Sequence, residues 1–159
     1  MNDILIKTND TDGFFKELEE EVHDAKQSAL RHAGLVLKNS IKDAFRSSGI
    51  NDTGKSGKFN DRLIDAIRQT PVTGTDTSVK VHILGVREKG SGTYRLRFFE
   101  GGTKERFQKT YKGKPLKKKR SLKKIKDYHF FASSAESSWQ AAMDAFNQTF
   151  DKKINQTNG

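Results

Sequence analysis

Cysteine is absent from the 159 residues, which excludes disulfides, thiolate chemistry and the usual structural zinc sites. Long apolar runs are absent too, so nothing in the sequence reaches membrane-spanning length. The opening Met1-Asn2-Asp3-Ile4 lacks the basic and apolar blocks of a secretion signal. The expectation is a protein made and kept in a cytoplasm unless it leaves inside something larger. Apolar residues are scarce at 33%, against 31% charged. That balance predicts a thin core within a single domain, with part of the stability coming from neighbouring subunits.

What the chain does have is positive charge, and it is concentrated. The formal net charge is +10. Between Lys104 and Lys126, twelve Lys or Arg face one acid, Glu105, while the rest of the chain sums to −1. Phe107, Tyr111 and Tyr128 are interleaved with these lysines, a combination that binds single strands by stacking and phosphate contact. A solvated, self-repelling loop is the competing account. A net +11 in 23 residues exceeds what solubility requires, so contact with DNA or a partner protein is the preferred reading. The candidate contact residues are Lys109, Lys112, Lys114, Lys117, Lys118, Lys119, Arg120, Lys123, Lys124 and Lys126.

Along the chain, residues 1–11 read as an N-terminal arm, 12–154 as one domain and 155–159 as a disordered tail. Apolar or small residues recur at Leu18, Val22, Ala25, Ala29, Ala33, Val36, Ser40 and Ala44. Steps of four and three predict a straight helix over 12–47, roughly 50 Å long. Its length exceeds what one small sheet covers, so part of its stripe should meet another subunit. Ile50 to Asn60 is a polar loop, and Arg62 to Arg68 fits either helical turns or the lead-in to a strand. Ser78–Val86 and Thr93–Phe99 read as strands joined by Arg87–Gly92, and Glu100-Gly101-Gly102-Thr103 as a turn with a structural role. Lys104–Lys126 is read as a long basic loop insertion that orders only in an assembly. A second long helix then covers 131–154, with Trp139 placed in the core. The expected class is α+β: two long helices on an antiparallel sheet of three to four strands.

No constellation of residues points to catalysis. Gly49-Ile50-Asn51-Asp52-Thr53-Gly54-Lys55-Ser56 matches the phosphate-loop pattern, but a polar helix end precedes it where that loop needs a buried strand. The match is read as coincidence. His23, His32, His82 and His129 lack a partner at ligand spacing, and no serine sits in a nucleophile elbow. Glu100 has no second acid nearby, which favours a hydrogen-bonding role over a catalytic one. The reading is no enzyme and no cofactor.

Several short motifs together resemble the neck, or tail-completion, family that joins heads to tails in long-tailed bacteriophages. They are Thr53-Gly54 with the following Leu63 and Ile67, Tyr94 with Phe98-Phe99-Glu100-Gly101-Gly102-Thr103, and Phe130-Phe131 with Ala135, Trp139 and Ala142. The likeness spans Phe14 to Ile154, with a Thr-Gly loop lengthened by Lys55 to Asp61 and a longer, more basic segment after Thr103. The resemblance implies a non-enzymatic virion protein forming a homo-oligomeric ring around the DNA exit path, in contact with other neck, head-closure and tail proteins. It would await assembly in the host cytoplasm, with no membrane partner. The alternative is a non-enzymatic nucleic-acid-binding protein that uses 104–126.

Overall fold

A computed structural model describes residues 8–52, 62–74, 76–83 and 95–157, with side chains from Lys16 onward. Among these residues the fold is α+β, with four helices and two antiparallel two-stranded sheets. Helix α1 spans Thr8–Ser47, so it begins earlier than the arm-to-helix boundary expected at residue 12. Its buried positions Ala25, Ala29, Ile41 and Phe45 fall at multiples of four, the helical stripe that faces the rest of the chain. Gly49, in the left-handed region at φ +73°, stops it.

After a 3-10 turn at Leu63–Ala66 come β1 (Ile67–Gln69) and β2 (Val81–Ile83), paired with Ile67 opposite Ile83. The carboxylate of Asp52 holds that turn, accepting from the Ile64 amide at 2.9 Å and from Arg62 Nε at 2.9 Å. The segment between the strands lies along α1. Gln27 Nε2 donates to the carbonyls of Gly74 and Asp76, and Gln69 Nε2 donates to that of Arg31. A glycine is needed where they meet: a Cβ on Gly34 would stand 2.6 Å from Gln69 Nε2 and 2.7 Å from Val79 Cγ2. A mid-helix glycine costs roughly 1 kcal/mol, and here it admits the Gln69 and Val79 side chains close to the helix backbone.

The core gathers at the C-terminal half of α1. Ile41, Phe45, Ile50, Leu63, Ile64, Ile67, Ile83, Leu96 and Phe130 form one buried cluster, with the rings of Phe45 and Phe130 edge-to-face at 5.5 Å. Helix α3 (Phe130–Ser137) and helix α4 (Trp139–Thr157) then run back along α1, with His32 Nδ1 2.6 Å from Thr149 Oγ1.

Six expectations need correction. The sheet is two separate hairpin pairs, not one sheet of three to four strands. Within Ser78–Val86 only Val81–Ile83 is strand among the described residues, 84–86 lying outside them. Of the proposed strand Thr93–Phe99, residues 93–94 lie outside the described residues, as does the connection Arg87–Gly92. Residues 96–99 belong instead to helix α2 (Leu96–Glu100): Leu96 is buried and Phe99 packs on the core, while Arg97 and Phe98 are exposed. The last helix is divided at Ser138, where the Ser137 and Ser138 hydroxyls both donate to the Ser134 carbonyl, a local competition serines often supply. It also continues to Thr157, past the residue where a tail was expected. Finally, the basic segment is not a loop.

Candidate partner and polyanion interface

Phe107–Tyr111 (β3) and Lys114–Ser121 (β4) fold into an antiparallel hairpin inside the basic segment. Tyr111 pairs with Lys114 across Lys112 (φ 49°) and Gly113 (φ 78°). Positive φ at both central residues is what a two-residue hairpin turn requires. The ladder starts with Phe107 opposite Ser121 and slips near Lys109, between the Gln108–Arg120 and Thr110–Pro115 pairs. Hydrogen bonding between the strands joins a segment that has almost no core of its own.

Both faces of this hairpin meet solvent. Only Gln108 and Leu116 are partly covered, and Phe107 and Tyr111 are 50% and 59% exposed. Lys117, Lys118, Lys119 and Arg120 are all exposed, beside the irregular step in the ladder. Lys109, Lys112 and Lys114 surround the tip; Lys123, Lys124 and Lys126 follow β4. All ten of these cations are exposed, and none makes an ion pair with another described residue. Lys112 and Lys126 rest their ammonium groups 5.7 and 5.6 Å from the rings of Tyr111 and Tyr128.

The root of the hairpin is fastened tightly. The Thr103 amide donates to the Ile125 carbonyl at 3.0 Å, and the Ile125 amide donates to Thr103 Oγ1 at 3.1 Å. Just before it, the Tyr128 and His129 amides donate to the carbonyls of Phe99 and Glu100. The Glu100 carboxylate spans the first turn of α3, accepting from the Phe131 amide at 2.9 Å and the Ala132 amide at 3.0 Å. Two otherwise unpartnered helix amides and the positive end of the helix dipole thus receive one anion from 31 residues away. Gly102, at φ +66°, presses against the returning segment: a Cβ there would stand 3.1 Å from the Asp127 Cβ and amide nitrogen and from the Ile125 carbonyl. Gly101 has an ordinary negative φ of −99° and only one neighbour, at 3.9 Å. Asp127 is held below the usual carboxylate range by its own backbone amide first and by His129 second.

Two further surfaces lack partners among the described residues. Between α1 and α4 lies an apolar groove of about 230 Å³ bordered by Leu30, Ala33, Leu37, Trp139 and Met143. Trp139, placed in the core by its position in the helical stripe, is 59% exposed on its rim. At the other end, α1 is exposed from Lys16 to Glu20, and from Lys16 onward the first buried residue is Ala25. That stretch carries Glu17, Glu19, Glu20, Glu21 and Asp24.

The remaining motifs do not come together. Gly49 of the phosphate-loop pattern ends a helix where a strand would be needed, and its Thr53 to Ser56 lie outside the described residues. Thr53-Gly54 and Tyr94 of the family resemblance lie outside them as well. Among the described residues no group of three His, Asp or Glu is placed to hold a metal ion, and no helix is long and apolar enough to cross a membrane. The cap formed by Glu100 and the close approach at Gly34 carry no local signal, because each partner is distant in sequence. No protein-family model, curated protein or solved structure matches the chain.

Proposed function

We propose that this chain is a structural virion protein of a tailed phage or prophage. It forms a homo-oligomeric ring at the head–tail interface, in the neck, around the path by which DNA leaves the head. Its partners are its own copies and the head-closure and tail proteins on either side. Before assembly it waits in the host cytoplasm, and it needs no cofactor and performs no catalysis.

The observation that carries this reading is the Phe98–Thr103 turn. The residues that form the most specific part of the resemblance are the same ones that bind the start of α3 through Glu100 and the hairpin root through Thr103. They act as one structural joint, with the core on one side and exposed arms on the other. Removing the gene from its parent phage should leave filled heads and complete tails unjoined, and supplying the wild-type chain should restore joining. Infectious particles formed without the protein would overturn the reading, as would purified particles that do not contain it.

The second reading, sequence-independent nucleic-acid binding, is favoured by the two-faced basic hairpin with its exposed Phe107 and Tyr111. It predicts binding to any DNA that weakens steeply with salt, without a requirement for phage partners.

A further inference from the structure

The two strongest charge concentrations of the chain sit far apart. The hairpin is rooted beside Phe130, which packs on Phe45 near the C-terminal end of α1. The acidic stretch precedes Ala25 on the same helix, roughly 30 Å away at 1.5 Å per residue. From Lys16 to Asp24 five acids face one base, and from Thr8 the count rises to seven acids against one.

Helix polarity does not explain those acids. The dipole acts within the first turn, whereas Glu17 to Asp24 lie in the third turn of α1 and beyond. Nor does α4 cover them. By the register of His32 against Thr149, α4 runs out alongside the turns just before Ala25. Among the described residues nothing else covers the preceding turns, and an uncovered helix is marginal in water on its own. Yet they continue the apolar stripe, with Leu18 39% and Val22 40% exposed.

We infer that the basic hairpin of one copy docks on the acidic, overhanging start of α1 in a second copy of this chain. The two surfaces are complementary in both charge and apolar content. The helix offers carboxylates flanking Leu18 and Val22; the hairpin offers ammonium groups flanking Phe107, Tyr111 and Leu122, all exposed. The contact is heterologous, so each copy uses both surfaces and copies join head to tail, closing into a ring when the rotation between neighbours permits. The inference rests on the ring reading for closure alone; the pairwise contact stands or falls by itself.

Charge reversal on the full-length chain tests it. One variant carries Lys117→Glu, Lys118→Glu, Lys119→Glu and Arg120→Glu; the other carries Glu17→Lys, Glu19→Lys, Glu20→Lys and Glu21→Lys. All eight positions are exposed or nearly so, and circular dichroism checks that both variants fold. In low salt, sedimentation velocity should show each variant associating at least about tenfold more weakly than wild type. Mixing the two, or combining all eight changes in one chain, should restore association. Carbodiimide coupling of isotopically heavy with light wild-type chains should join hairpin lysines to Glu17–Glu21 between copies. A wild-type protein that stays monomeric and yields no such inter-chain cross-link overturns the inference, as does a combined variant that fails to recover. If the hairpin variant loses only duplex DNA binding and neither variant alters association, the hairpin contacts polyanion instead. Open head-to-tail chains would support the contact and count against the ring. Rings unaffected by either set of reversals would support the ring and defeat the contact.

Discussion

The two ends of α1 are built differently. Around Ile41 and Phe45 the chain satisfies itself: apolar side chains meet apolar side chains, and both Glu100 carboxylate oxygens accept hydrogen bonds from the first amides of α3. Around Glu17 to Asp24, and on the hairpin, side chains are charged and exposed, and the apolar groups among them are left uncovered. On the proposed reading, stability belongs to the first region and contact to the second. A substitution should therefore alter folding or association according to where it falls.

Breaking the packed end should have the largest effect. Phe45→Ala empties space against Phe130 and should cost about 3–5 kcal/mol in urea unfolding. A loss under about 1 kcal/mol would show that the core has been placed wrongly.

The paired glycines sharpen the comparison within a single turn. Gly102→Val meets positive φ and the backbone of Ile125 and Asp127 at once, and should lose about 1–2 kcal/mol or more. Gly101→Val should stay within about 0.5 kcal/mol, since its backbone is ordinary and its surroundings are open. Equal melting temperatures for the two variants would contradict this geometry. Glu100→Ala lies near them in size, at about 1–2 kcal/mol, because it strips a charged cap from α3.

The hairpin should respond in the opposite way. Replacing Lys117, Lys118, Lys119 and Arg120 by Gln should leave unfolding unchanged within about 0.5 kcal/mol. If the hairpin meets DNA, the same change flattens the salt slope of binding by up to about 3–4 units. A large loss of stability would mean that these side chains support the fold.

The smallest effect is that of pH at Asp127. Its carboxyl is lowered in the folded chain, so its contribution is present above the ordinary carboxylate value and disappears as pH falls through the lowered one. Asp127→Asn should remove that part of the acid sensitivity of the melting temperature, and an unchanged profile would refute the assignment.

Both long helices were legible because their stripes persist over many turns, long enough for a period near 3.6 to declare itself. Leu96 to Glu100 was not. Five residues suit two periods, and the alternation of Leu96 and Phe98 with Arg97 suggested a strand although Leu96 and Phe99 are the pair that packs. The hairpin was hidden for another reason. Strands are usually recognised by a buried face, and Lys117-Lys118-Lys119-Arg120 has none; only Lys112-Gly113 between Tyr111 and Lys114 marked the turn. Trp139 was misplaced because a stripe shows which face of a helix is apolar, not whether another element covers all of it.

The hydrogen bonds between Thr103 and Ile125 make the hairpin an exchangeable cassette. The chain leaves the domain and returns to it at a single doorway, so the core registers only that the doorway is shut. Lengthening the excursion costs closure entropy that grows slowly, about 0.6 kcal/mol for each doubling. Arm length, charge and tip can therefore be redrawn from one lineage to the next while the joint beneath them keeps its shape.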